Sequence, residues 1–157
     1  MGAVARRPVA VVAALVLFLE AVGIVVINGI LATFVGAQNM SLDGLDPDAM
    51  QTGTWVMGGV FGLFLAVCGL VALLAGLRDR APGRFGRILL ICCAVTHAVL
   101  GAVSVGLVGW HAFAFMMVSL GLIVLTLVAY GKREEPAAAG RGDGPVPAAA
   151  DGGAAPA

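Results

Sequence analysis

Apolar residues in this 157-residue chain fall into long unbroken blocks, not into alternation, and polar residues are gathered into short segments between them. The blocks run from Pro8 to Gly36, from Thr52 to Leu77 and from Ile88 to Tyr130. A membrane-crossing helix needs about 20 consecutive apolar residues. The third block is too long for one crossing, and its only break is GLVGWH at 106–111. The pattern therefore predicts four spans, at about 8–36, 52–77, 88–107 and 112–130. The expected fold is an all-α membrane protein, a four-transmembrane-helix bundle over residues 1–131. From Lys132 the chain turns to Ala, Gly and Pro without apolar periodicity, which predicts a disordered cytoplasmic tail over 132–157.

The first block has a basic start, as a signal peptide does. Signal h-regions are only about 7–15 residues long, and Glu20 interrupts this run, so an uncleaved span is expected. At ~1.5 Å per residue it would be about 43 Å long against a hydrocarbon core of about 30 Å, which requires tilt or projection. Residues 37–51 form the one substantial loop between spans and carry Asp43, Asp46 and Asp48. Asp46-Pro47-Asp48 reads as a helix start, with Asp at the N-cap, Pro in the first position and an acid in the first turn. The three acids lack the spacing and the closing Glu of a calcium loop.

Small residues mark where helices are expected to meet. In the second span Gly58 and Gly62 form a GxxxG pair, and Gly62, Gly69 and Gly76 recur every seven residues. In the third, Ala94, Ala98, Ala102 and Gly106 stand at strict four-residue spacing, a second predicted packing ridge, with His97 and Gly101 one position before it. Ser119 and Thr126 in the fourth span are expected to bond to preceding carbonyls of their own helix.

Composition sharpens the class. Residues are 61% hydrophobic and 11% charged, where a soluble domain carries about 25% charged residues. With four spans, the Lys and Arg residues at 6, 7, 78, 80, 84, 87, 132, 133 and 141 all fall on one side. Such a pattern predicts a multi-pass protein of the bacterial plasma membrane with both termini cytoplasmic. Trp55 and Trp110 are expected at the external interface, Phe85 and Tyr130 at the internal one, with His111 at the external turn. No basic face is interleaved with aromatics, so nucleic acid is not an expected partner. Cys68, Cys92 and Cys93 lie inside apolar runs without ligand spacing, so neither a zinc site nor a disulfide framework is indicated, and no cofactor is expected.

Candidate chemistry rests on few residues. Counted from the cytoplasmic side, Glu20 lies about 18 Å deep and His97 about 13–14 Å deep, so both fall in the middle third of the core. Ionisable groups at such depth usually face protein or a polar cavity. Burial favours two neutral groups, contact favours carboxylate and imidazolium, and a pair poised between them can exchange a proton. Asn28, about two turns farther out, is a candidate for lining the outer half of the same path.

The segment LFLEAVG, in the first span of a four-span chain, resembles the start of small multidrug resistance transporters. That resemblance implies proton exchange against cationic solutes through a first-span glutamate, here Glu20. It covers about one span. The later spans lack the family's aromatic and proline pattern, and the strong charge bias differs from the even distribution of those antiparallel dimers. In general make-up the chain is similar to the small uncharacterised four-span membrane proteins of high-GC actinobacteria, which implies no activity. Two functions follow as expectations. One is a non-enzymatic structural or accessory component of a membrane assembly, packed against a second copy or another membrane protein. The other is a small proton-coupled transporter using the Glu20–His97 pair. No nucleophile–base pair, metal-ligand set or phosphate loop points to an enzyme.

Overall fold

A computed structural model describes residues 3–38, 44 and 46–131, with side chains from residue 6 onward. The predicted tail at 132–157 and Asp43 lie outside the described residues. The described chain is four helices: α1 (Ala3–Ala37), α2 (Pro47–Arg78), α3 (Arg84–Leu107) and α4 (Trp110–Gly131). All four are long and apolar enough to cross a membrane, and the protein is a multi-pass helical membrane protein. Their outward faces are covered with exposed Leu, Ile, Val and Phe. This is the expected arrangement where lipid, and not water, surrounds the bundle.

Helix ends follow from local chemistry. Asp46 caps α2, its carboxylate accepting from the Asp48 backbone N–H at 3.1 Å, with Pro47 in the first helical position. The α3–α4 turn is only Val108 and Gly109. Both amides donate to the Ser104 carbonyl at 2.9 Å, and Gly109 takes φ 113°, a conformation that excludes most side chains. With 35 and 32 residues, α1 and α2 reach about 52 and 48 Å at ~1.5 Å per residue. Both exceed a core of about 30 Å, whereas α3 and α4 come close to matching it.

The helices pack as two antiparallel hairpins. The α1–α2 interface is by far the most extensive and α3–α4 comes next; between the hairpins, α1–α4 and then α2–α3 meet more sparsely, and the two diagonal pairs least of all. Glycines explain the first ranking. A methyl added at Gly69 would lie 3.3 Å from the Ala14 carbonyl oxygen and 3.4 Å from Leu17 Cβ; at Gly76 it would lie 3.2 Å from Ala10 Cβ. At Gly62 it would run into Val25 and approach the Ala21 carbonyl at 3.2 Å. Glycine at these points lets the two backbones approach, so dispersion contacts replace the hydrophobic drive that lipid removes. Gly58 is likewise buried, against Asn28.

On α3 the inward face is not the predicted ridge. The buried residues are Leu90, Cys93, His97 and Gly101, while Ala94 is half-buried and Ala98, Ala102 and Gly106 are exposed. The two stripes differ by one position, a rotation of about 100°. Polar contacts at His97 hold its stripe inward, and Gly101 accommodates the side chains of Met116 and Met117 from α4. Tyr130 also departs from the expected interfacial belt: it is buried against Ala10 and Ala75, closing the core at the arginine-bearing end. The main core, Ala14, Leu17, Leu65, Cys68, Ala72, Leu90, Cys93 and Ile123, fills the bundle between that end and Glu20.

Candidate functional site

Glu20 projects from α1 into the space between the hairpins. One carboxyl oxygen, Oε2, lies 2.8 Å from His97 Nε2 on α3. The other, Oε1, accepts from the Ser119 hydroxyl on α4. The His97 and Glu20 side chains are only 3% and 6% exposed. A single carboxyl therefore joins three helices, and it does so where the hairpins otherwise meet sparsely.

Hydrogen-bond roles fix the proton count. His97 Nδ1 lies 2.8 Å from the Cys93 carbonyl, one turn back on its own helix. A carbonyl only accepts, so Nδ1 carries a hydrogen. Between Nε2 and Oε2 there is then one proton to share. Carried by the carboxyl, it leaves two neutral groups; carried by the imidazole, it leaves an ion pair. The pair is electrically neutral either way, which suits a medium that penalises net charge. Ser119 donates to Oε1 in both cases and need not move. Loss of the shared proton would set two acceptors face to face and break the link between α1 and α3. A second proton would require the Ser119 hydroxyl to reverse from donor to acceptor.

Beside the pair lies a cavity of about 420 Å³ walled by Glu20, Ile24, Phe61, Leu65, His97 and Met116, among others. That volume falls within the range of small-molecule sites. Its lining runs from the middle of α1 and α2 toward the α1–α2 connection, and comes from the half of α3 and α4 nearest their own connection. Its remaining wall includes Leu19, Ile27, Leu100 and Phe115, all exposed on the outer surface of the bundle, so the cavity opens sideways onto that apolar surface. Below the pair the packed core closes the bundle.

Sequence and structure agree unevenly here. Glu20 and His97, 77 residues apart in the chain, are brought into contact. Asn28 is not part of the site. Its amide nitrogen donates back to the Ile24 carbonyl at 2.9 Å, and the side chain packs on Gly58 in the α1–α2 interface. Thr126 bonds to the Leu122 carbonyl of its own helix at 2.8 Å, as expected of a hydroxyl in an apolar helix. Ser119 does not, because a carboxylate or acid oxygen is the stronger acceptor. Sequence reading passed over Ser119 as mild polarity, yet the topology held the signal: counted inward from Ala112, it lies about 10 Å deep, level with Glu20. Cys93 Sγ lies 3.6 Å from His97 Nδ1, and the Cys68 thiol points at the Leu89 carbonyl at 3.8 Å. Cys93 thus backs the imidazole from the core side, and Cys68 belongs to the same core cluster. Among the described residues no group of three His, Cys, Asp or Glu is placed to hold a metal ion.

Fold and site together define a polytopic helical membrane protein with a buried carboxyl–imidazole–hydroxyl triad at the wall of an apolar cavity. No protein-family model, curated protein or solved structure matches the chain.

Proposed function

We propose that this protein is a small non-enzymatic transporter that couples movement of a lipophilic solute carrying a hydrogen-bonding or amine group to the proton shared by Glu20 and His97. The observation that carries the reading is the 2.8 Å contact between Glu20 and His97, the polar point in the wall of a solute-sized cavity. A solute that competes for Glu20 or His97 displaces the shared proton, and its loss unlinks α1 from α3. Binding and proton transfer thus act on the same contact between hairpins. The reading takes both termini to be cytoplasmic in a bacterial plasma membrane, on the positive-inside distribution of Arg and Lys. On that orientation the cavity belongs to the outer half of the bilayer. The test is flux in vesicles under an imposed pH gradient, using a panel of uncharged and amine-bearing lipophilic dyes. Gradient-dependent flux in the parent and none in Glu20→Gln supports the proposal; no flux in the parent removes it.

A second reading has its own support. Every polar atom of the triad is satisfied within the protein, as in a lock that only fixes the hairpins in register. The bundle would then serve as a structural or accessory component beside a second copy or another membrane protein. That reading expects a specific co-purifying partner and no gradient-dependent flux.

A further inference from the structure

At the end of the bundle opposite the cavity, a second hollow of about 330 Å³ lies between the last turns of α2, the α2–α3 connection and the start of α3. Its walls change character along their length. Val71, Leu74 and Arg78 follow one another at intervals of three and four residues on α2, so they form one stripe that runs from apolar to cationic. Arg80 joins Arg78 at the rim, and the exposed Phe85 ring stands on the α3 side. Between positions 78 and 87 the chain holds four arginines against one acid, Asp79. The hollow opens between α2 and α3, which are neighbours in the chain but belong to different hairpins and pack sparsely against each other. A free anion would be held by the rim alone, with nothing to use the apolar wall below it. An amphiphile with a negative head and a hydrocarbon chain complements both parts, and the bilayer around the protein supplies such molecules.

We infer that this groove is a binding site for one anionic phospholipid, its phosphate at Arg78 and Arg80 and an acyl chain along Val71 and Leu74. Basic pockets between membrane helices on one side of the bilayer are suited to such headgroups. The lipid fills the sparse α2–α3 seam and braces the two hairpins at the end away from the triad.

The experiment is native mass spectrometry of the full chain in detergent, with equal amounts of phosphatidylglycerol and phosphatidylcholine of identical chains. The parent is expected to retain one phosphatidylglycerol in preference to phosphatidylcholine. R78Q/R80Q should lose that preference by roughly 30-fold, the equivalent of two arginine–headgroup contacts, with its helical content unchanged. R78K/R80K should keep most of it. K132Q/R133Q removes the same charge just beyond α4 and should behave as the parent. Equal retention of both lipids by the parent, undiminished preference in R78Q/R80Q, or equal loss in K132Q/R133Q would each overturn the proposal. So would full competition by glycerol phosphate lacking chains.

Discussion

Replacing Glu20 in two different ways separates its bonding role from its proton. In Glu20→Ala the His97 Nε2 atom loses its partner inside the bundle, and an unsatisfied buried group costs about 1–3 kcal/mol. One buried methylene is also lost, worth about 0.8 kcal/mol. Ser119 escapes lightly, because its hydroxyl can turn to a carbonyl of the preceding turn. The expected destabilisation is therefore about 2–4 kcal/mol. Glu20→Gln keeps the shape. Its amide oxygen accepts from Ser119, its N–H donates to the neutral Nε2, and the loss should stay below about 1 kcal/mol. Reversible unfolding in mixed detergent, followed by circular dichroism, measures both. Infrared spectroscopy of the same samples shows whether the shared proton sits on the carboxyl, since only then does a protonated-carboxyl band appear that Glu20→Gln abolishes. Equal destabilisation by the two substitutions would refute this account, since it would mean that charge, and not a shared proton in a hydrogen-bonded chain, holds the hairpins together.

Other outcomes follow from other parts of the molecule. Ser119→Ala should cost about 0.5–1.5 kcal/mol and move the Glu20 carboxyl band to higher frequency, because the carbonyl oxygen loses a donor; an unmoved band would dissociate Ser119 from the site. Gly62→Leu should destabilise by about 1–3 kcal/mol through overpacking against Val25 and Ala21. Gly59→Ala, where an added methyl meets nothing within 4 Å, should change stability by less than about 0.5 kcal/mol. Asp46→Ala removes the cap of α2 and should cost about 0.5–2 kcal/mol, seen as faster amide exchange in the first turn. A lipophilic maleimide should label the exposed Cys92 in the folded protein and reach the buried Cys68 and Cys93 only after unfolding.

Much of the architecture is legible in the chain because lipid imposes simple rules. Span length, the Asp46-Pro47 start and the turn near Gly109 follow from hydropathy and backbone chemistry alone. The closeness of Glu20 and His97 was accessible by counting residues inward from one face. What counting cannot supply is rotation. Depth along a helix is fixed by the rise per residue, but which side faces the neighbours depends on contacts from other helices. For that reason the buried stripe of α3 stands one position from the small-residue ridge, with Ala98 and Ala102 on the outside of the single bundle and His97 and Gly101 within. Asn28 was misjudged for the same reason, since 80° of rotation from Glu20 turns it to α2 and not to the cavity. Ser119 was missed because a hydroxyl in an apolar helix usually satisfies itself locally, and only the position of a carboxyl on another helix reveals the exception.

The division into two hairpins has a consequence for how the protein is made. Everything α1 needs for packing against α2 lies within the first 78 residues, so that hairpin can form while the rest of the chain is still being synthesised. Glu20 must wait, since its partners stand 77 and 99 residues downstream. Until α3 and α4 arrive, the early hairpin carries an unanswered carboxyl at a depth where an acidic residue costs about 2.5–3.5 kcal/mol to insert. The same side chain that ties the finished bundle together thus marks an unfinished one. A chain halted before α3 holds its hairpin in place but leaves that carboxyl with neither His97 nor Ser119 to answer it.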